Sequence, residues 1–175
     1  MKKFIVLGMA ALVLAIPAYA QSVPEKTGIN ATIGVSPSTQ DFVTEAANSD
    51  MLEIASSKLA LAKGDAKIKS FADKMIADHT QTSGEVKALV SSGKVKVDLP
   101  TAMDKSHQSK LDKLSALTSA DFTKEYESMQ VSAHKDAVSL FERYSKGGDN
   151  ADLKAFAAKY LPHLQEHLKM AQALK

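Results

Sequence analysis

The chain has 175 residues, with 22 basic and 20 acidic side chains and neither cysteine nor tryptophan. Without cysteine no disulfide can form, so the fold must be held by its hydrophobic core alone. A chain so close to neutral also lacks the basic surface that nucleic-acid binding requires, and we expect no nucleic-acid partner.

The first 20 residues predict a secretory signal peptide. Lys2 and Lys3 give a basic start, the run FIVLGMAALVLA is apolar, and AYA supplies the small-x-small pattern that precedes cleavage. Cleavage between Ala20 and Gln21 would leave 20 basic and 20 acidic residues. Because the apolar run is short for a bilayer span, we expect no transmembrane segment after cleavage. The prediction is an exported, periplasmic protein, either free or loosely associated with the outer membrane.

Residues 21–38 are rich in Ser, Thr, Gly and Pro without an apolar period, which predicts a flexible leader. Residues 39–175 predict one domain, because four long segments repeat apolar residues at helical spacing. The first predicted helix runs from a Ser/Thr cap to Gly64, and the second runs from Asp65 to Gly93. The third runs from Ser119 to KGGDN, and the fourth begins at Asp149 or Asn150. A short helix at about 102–117 separates the second from the third. The pattern predicts an all-α, antiparallel four-helix bundle with an extra helix in the crossover.

Each long helix carries one ionisable residue within its apolar stripe when it is drawn at 100° per residue. These residues are Glu53, His79, His134 and His167, whereas His107 in the short helix is expected to be exposed. An ionisable group in an apolar core must be paired, neutral or at a ligand site. Three imidazoles and one carboxylate could hold a divalent transition metal such as zinc, copper or iron. His167 lies nearer a helix end and is the weakest member of the set.

A buried hydrogen-bond network is the alternative explanation of the same polar layer. Its partners would be polar side chains beside the stripes: Asp78, Tyr126, Gln130 and Tyr160. In the metal hypothesis, the residues expected around the ligands are Asp78, Tyr126, Gln130 and His163. Sequence spacing alone does not separate the two hypotheses.

Three stretches together resemble a known family: DFVTEAANSDMLEIASSKLAL, IKSFADKMIADHTQTSGEVKAL and the segment from YESMQVSAHK to LPHLQEHLKMAQAL. They are similar to the exported bacterial proteins called domain of unknown function 4142, over roughly residues 41–174. The resemblance implies a ferritin-like four-helix bundle and export, and it implies no reaction. The matching positions are Asp41, Glu53, Asp78, His79, His134, Pro162 and His167.

No motif predicts catalysis. A di-iron site would need Glu three residues before His on two helices, but Ile76, Val131 and Leu164 occupy those positions. A ferritin-like redox enzyme is therefore disfavoured. The sequence favours a non-catalytic, exported helical bundle that acts as a binding or envelope stress-related factor. The alternative is a bundle that binds one transition metal.

Overall fold

The computed structural model describes residues 22–26 and 28–174, and the predicted signal peptide lies outside these residues. The described part is helical and contains no strand, which confirms the all-α prediction. Its helices are α1 (Val23–Lys26), α2 (Ile29–Ile33), α3 (Thr39–Lys63), α4 (Ala66–Ser91), α5 (Lys105–Ser115), α6 (Ser119–Gly147) and α7 (Ala151–Gln172). None of the described helices is long and apolar enough to cross a membrane.

Local capping explains where the long helices begin. The side chains of Ser38, Asp65 and Asn150 each accept a hydrogen bond from the backbone N–H three residues later. Gly64 follows α3 as predicted, and α4 begins directly after Asp65. The prediction of Ser119 as the cap of the third helix is wrong, because Thr118 holds the extended backbone conformation of the cap and Ser119 is the first helical residue.

The four long helices form an antiparallel bundle. Helix α3 packs along α4 and α6, while α7 packs along α6 and α4. Phe42 near the start of α3 stacks on Tyr144 near the end of α6, with ring centroids 4.3 Å apart, so these two helices run in opposite directions. The α4–α6 crossover contains the short helix α5, as the sequence predicts, and α5 packs against α3.

The described part of the predicted leader forms α1 and α2 and is attached to the bundle. The Arg143 guanidinium contacts the Glu25 carboxylate at 2.7 Å and also donates to the Val35 carbonyl at 2.7 Å. Both charged side chains of this ion pair are less than a tenth exposed. Asp41 accepts two further hydrogen bonds, from the backbone and hydroxyl of Ser22.

Two glycines should respond oppositely to alanine. A Cβ at Gly148 would lie 2.5 Å from the ring of Tyr144, which is fully buried, whereas a Cβ at Gly84 in α4 would meet nothing within 4 Å. We expect Gly148→Ala to lower the free energy of unfolding by about 1–3 kcal/mol through overpacking. Gly84→Ala should raise it by about 0.5–1 kcal/mol through helix propensity. Urea denaturation of both variants checks the pair, and equal effects would contradict this packing of the α6–α7 turn.

Candidate metal centre

A layer of buried polar side chains divides the hydrophobic core in two. One part, the Phe42 cluster, contains Phe42, Val43, Ala46, Val86, Val95, Ala137, Leu140, Phe141, Tyr144, Leu153, Phe156, Ala157, Tyr160 and Leu164. The other part, the Phe71 cluster, contains Ala60, Ile68, Phe71, Ala72, Met75, Leu114, Phe122, Tyr126, Ala171 and Leu174. The residues between them are each at most 3% exposed: Glu53, His79, Gln130, His134 and His167. Apolar packing on both sides keeps this layer in a low-dielectric environment.

Three histidines from three helices converge in this layer. His79 comes from α4, His134 from α6 and His167 from α7. Their ring centroids form a nearly equilateral triangle with sides of 5.4, 5.5 and 5.6 Å. One nitrogen of each ring lies within 4.8 Å of the corresponding nitrogens of the other two. We call these three residues the trihistidine centre.

The size of this triangle suits a metal ion. Corners separated by 4.8 Å would lie about 2.8 Å from the middle, whereas zinc–nitrogen bonds are about 2.0 Å long. Each ring therefore needs to move inward by less than about 1 Å to coordinate an ion. The weakest predicted member, His167, lies at the same level as the other two.

One nitrogen of each ring is held by a hydrogen bond. His79 donates through Nδ1 to the Asp50 carboxylate at 2.7 Å, and His167 donates through Nε2 to the Asp78 carboxylate at 2.7 Å. His134 donates through Nδ1 to the backbone carbonyl of Gln130 at 2.9 Å. Carboxylates and carbonyls in these positions fix the ring orientation and tautomer of metal-binding histidines.

The other nitrogen of each ring is buried and has no hydrogen-bond partner. These atoms are Nε2 of His79, Nε2 of His134 and Nδ1 of His167. Buried polar atoms are normally paired, because an unpaired group loses its hydration without compensation. Three unpaired nitrogens in one layer, each on a ring whose other nitrogen is fixed, are the donor set that a transition metal requires.

Glu53 is buried in the same layer, but it does not belong to the compact group formed by the three histidines. It is 1% exposed, and neither carboxylate oxygen has a hydrogen-bond partner. Burial raises the pKa of Glu53, while the nearby His79 and the Gln130 amide act in the opposite direction. It is not among the residues whose ligand atoms all lie within 4.8 Å of one another, so the compact set consists of the three histidines.

Electrostatics separate His79 from the other two rings. Burial lowers the pKa of His79, but the Asp50 hydrogen bond and charge, with Glu53 and Asp78, raise it above its ordinary value overall. Burial and the charge of His79 lower the pKa of His134 to about 4. Burial likewise lowers the pKa of His167 to about 4, against the effect of Asp78. At neutral pH, two of the three rings are therefore neutral and ready to donate a lone pair.

Some of the residues predicted to surround the ligands contact the three histidines in the structure, and others do not. Asp78 contacts His167 and also accepts from Lys74 at 2.7 Å, and Gln130 contributes its backbone carbonyl to His134. The Tyr126 hydroxyl instead pairs with Ser57 at 2.9 Å. His163 is exposed and its ring lies 5.8 Å from that of Tyr160, so it lies outside the centre.

Sequence reasoning missed Asp50, which has three polar partners in the structure. Besides His79, its carboxylate accepts from the hydroxyls of Thr82 at 2.8 Å and Ser83 at 2.9 Å. The available signal was its position three residues before Glu53, which places both on the same face of α3. The expectation that His107 is exposed is wrong, because the ring is buried between α5 and α3, beside Asp104 and Glu45.

The comparison with known families supports the resemblance seen in the sequence. The family described as Domain of unknown function (DUF4142) matches residues 24–174. No curated protein and no solved structure matches the chain. Because the match covers nearly all of the described residues, the chain belongs to the DUF4142 family.

Proposed function

We propose that this protein binds one divalent transition-metal ion at the trihistidine centre. The observation that carries the proposal is the pairing pattern of the rings: one nitrogen of each ring is hydrogen-bonded, and the other is buried without a partner. Imidazole donors favour zinc, copper or iron over magnesium or calcium, which take oxygen ligands. Glu53 would supply a fourth ligand after a change of side-chain rotamer or a small shift of α3.

The hydrogen-bond network is the weaker explanation of the same layer. Two of the hydroxyls expected to pair with the histidines are paired elsewhere: Tyr126 with Ser57, and Tyr160 with Glu85 at 2.7 Å. A network that stabilised the core would also satisfy the second nitrogen of each ring, because unpaired buried groups weaken the fold. The unpaired nitrogens favour a ligand over a network.

The role we propose for the bound metal is non-catalytic. Among the described residues, Glu53 is the carboxylate buried in the layer beside the rings, and the Asp50 and Asp78 carboxylates are hydrogen-bonded to His79 and His167. This arrangement offers no pair of bridging carboxylates, so a ferritin-like redox reaction has the least support. With the predicted signal peptide, the arrangement supports an exported metal-binding factor of the bacterial envelope, in the periplasm or loosely associated with the outer membrane.

Titration with cobalt(II) tests the proposal, because its visible absorption reports low-coordinate nitrogen ligation. Protein purified without a His tag should bind one equivalent per chain. Since the pKa of His79 is raised, binding should displace a proton from that ring, and affinity should rise up to about tenfold per pH unit while the ring is protonated. A spectrum typical of the hexa-aqua ion at every ratio would overturn the proposal.

Asp50→Asn should weaken metal binding without removing a ligand. The Asp50 carboxylate orients His79 and increases its basicity, and losses of such partners cost about 10- to 100-fold in metal affinity. Asp73→Asn is the matched control, because Asp73 is an exposed carboxylate on α4. Competition with a chromophoric chelator measures both affinities. Equal affinities for the two variants would show that Asp50 does not position His79.

A further inference from the structure

A cavity lies on the Phe42-cluster side of the trihistidine centre. It has a volume of about 40 Å³, and His79 of the trihistidine centre is part of its wall. Its other inner walls include Asp50, Thr82, Ala137 and Leu164. These lie three residues from Glu53, His79, His134 and His167 respectively, which is about one helical turn. The cavity therefore occupies the layer next to the centre.

The outer end of the cavity is charged and reaches solvent. Its walls there include Glu45, His107, Lys110 and Asp136, and the last two are exposed. The carboxylates of Glu45 and Asp136, with Asp50 further inside, exceed the single lysine in charge. Because the carboxylates give this mouth a negative charge, it raises the local concentration of cations and favours a cation over an anion.

A second group of metal-type ligands stands at this mouth. Glu45, Asp104 and His107 offer ligand atoms that all lie within 4.8 Å of one another. His107 Nδ1 is held by Asp104 at 3.0 Å, and its Nε2 is 3.5 Å from Glu45 Oε1. Both nitrogens of His107 therefore face a carboxylate at the entrance of the cavity.

The trihistidine centre needs an access route because its rings are at most 3% exposed. The Phe71 cluster closes one side with a run of aromatic and aliphatic side chains. A cavity of 40 Å³ is large enough for a few water-sized particles, and so for a partly dehydrated ion. The polar wall formed by Asp50 and Thr82 would replace part of the lost hydration.

We propose that this cavity is the route by which the metal ion reaches the trihistidine centre, entering past Glu45 and His107. This inference rests on the proposed function. Under this proposal, Glu45 affects the rate of metal uptake, whereas the trihistidine centre sets the final affinity. The two roles are separable because a route affects binding and release equally.

Stopped-flow uptake of cobalt(II) by the purified protein tests the route. Ala137 lines the cavity, so Ala137→Leu would fill part of it, and we expect uptake and release to slow by the same factor, about tenfold or more. The dissociation constant should then stay within about twofold. Unchanged uptake by a folded Ala137→Leu protein would overturn the route.

A charge variant provides a second test that does not depend on tolerating a larger side chain. Glu45→Gln should slow uptake several-fold at low ionic strength, and the difference should shrink as salt screens the mouth. Glu127→Gln, on α6 and outside the cavity walls, removes the same charge and should leave the rate unchanged. Equal rates for both glutamine variants would contradict the assigned mouth. If the parent protein binds no cobalt, the proposed function fails and the route fails with it.

Discussion

His134→Ala should lower metal affinity by about 100- to 1,000-fold. Apparent binding free energies of structural zinc sites are about 10–16 kcal/mol, or about 2.5–4 kcal/mol for each of four ligands. The ring is 1% exposed and its Nε2 has no other partner. In the alanine variant, no neighbouring group can replace the ring as a metal ligand unless the buried polar layer rearranges. Chelator competition at fixed pH measures the loss.

His163→Ala is the matched control for this ligand deletion. His163 lies one helical turn before His167 but is exposed, and its ring contacts Tyr160 rather than the trihistidine centre. Its affinity should equal that of the parent. If both alanine variants lost affinity equally, the bound metal would lie at an exposed site and not in the buried layer.

The metal-free protein should lose stability as the pH falls from about 6.5 towards 4. The pKa values of His134 and His167 are lowered to about 4 in the folded state, from 6.5. Between these values the unfolded chain binds more protons, so acid favours unfolding. At pH 5 the loss is roughly 2 kcal/mol for each ring, at about 1.36 kcal/mol per pKa unit.

The other two members of the layer act with the opposite sign. The pKa of His79 is raised, so its contribution to stability is present below 6.5 and is lost as the pH rises through its folded pKa. Burial raises the pKa of Glu53, so protonation of Glu53 also favours the folded state in acid. Neither residue produces the acid loss; Glu53 reduces it as the pH approaches 4.5.

Urea denaturation at pH 7 and pH 5 measures this effect. In a His134→Gln, His167→Gln double variant the difference between the two pH values should shrink by several kcal/mol, at about 2 kcal/mol per ring. His163→Gln should leave it unchanged, since that ring is exposed. The same pH dependence in the parent and in the double variant would contradict neutral burial of the two rings.

Helical periodicity was sufficient to identify the three buried histidines but not their partners. His79, His134 and His167 each fall on an apolar stripe at 3.6-residue spacing, and burial of a stripe follows from the hydrophobic effect. Which polar group meets which ring depends on the register between helices. Asp78 illustrates the limit. It was predicted to lie beside the histidines and does so, but it contacts His167 on α7 rather than the adjacent His79.

Long-range packing explains the predictions that differ from the structure. His107 lies on a short, mostly polar helix, and only the folding of α5 onto α3 buries it beside Glu45. Asp50 sits in the polar stretch NSD, and its contact with His79 joins residues 29 positions apart. The helix boundaries were more predictable because capping is local: Asp65 and Asn150 accept hydrogen bonds three residues along the chain.

X-ray absorption spectroscopy of the protein loaded with one equivalent of zinc determines whether the metal lies at the trihistidine centre. We expect a first shell of nitrogen and oxygen at about 2.0 Å, with the outer-shell scattering of three imidazole rings. His134→Ala should reduce that imidazole scattering by a third or abolish stoichiometric loading. A first shell of oxygen atoms without imidazole scattering, unchanged in His134→Ala, would contradict a metal site at the trihistidine centre.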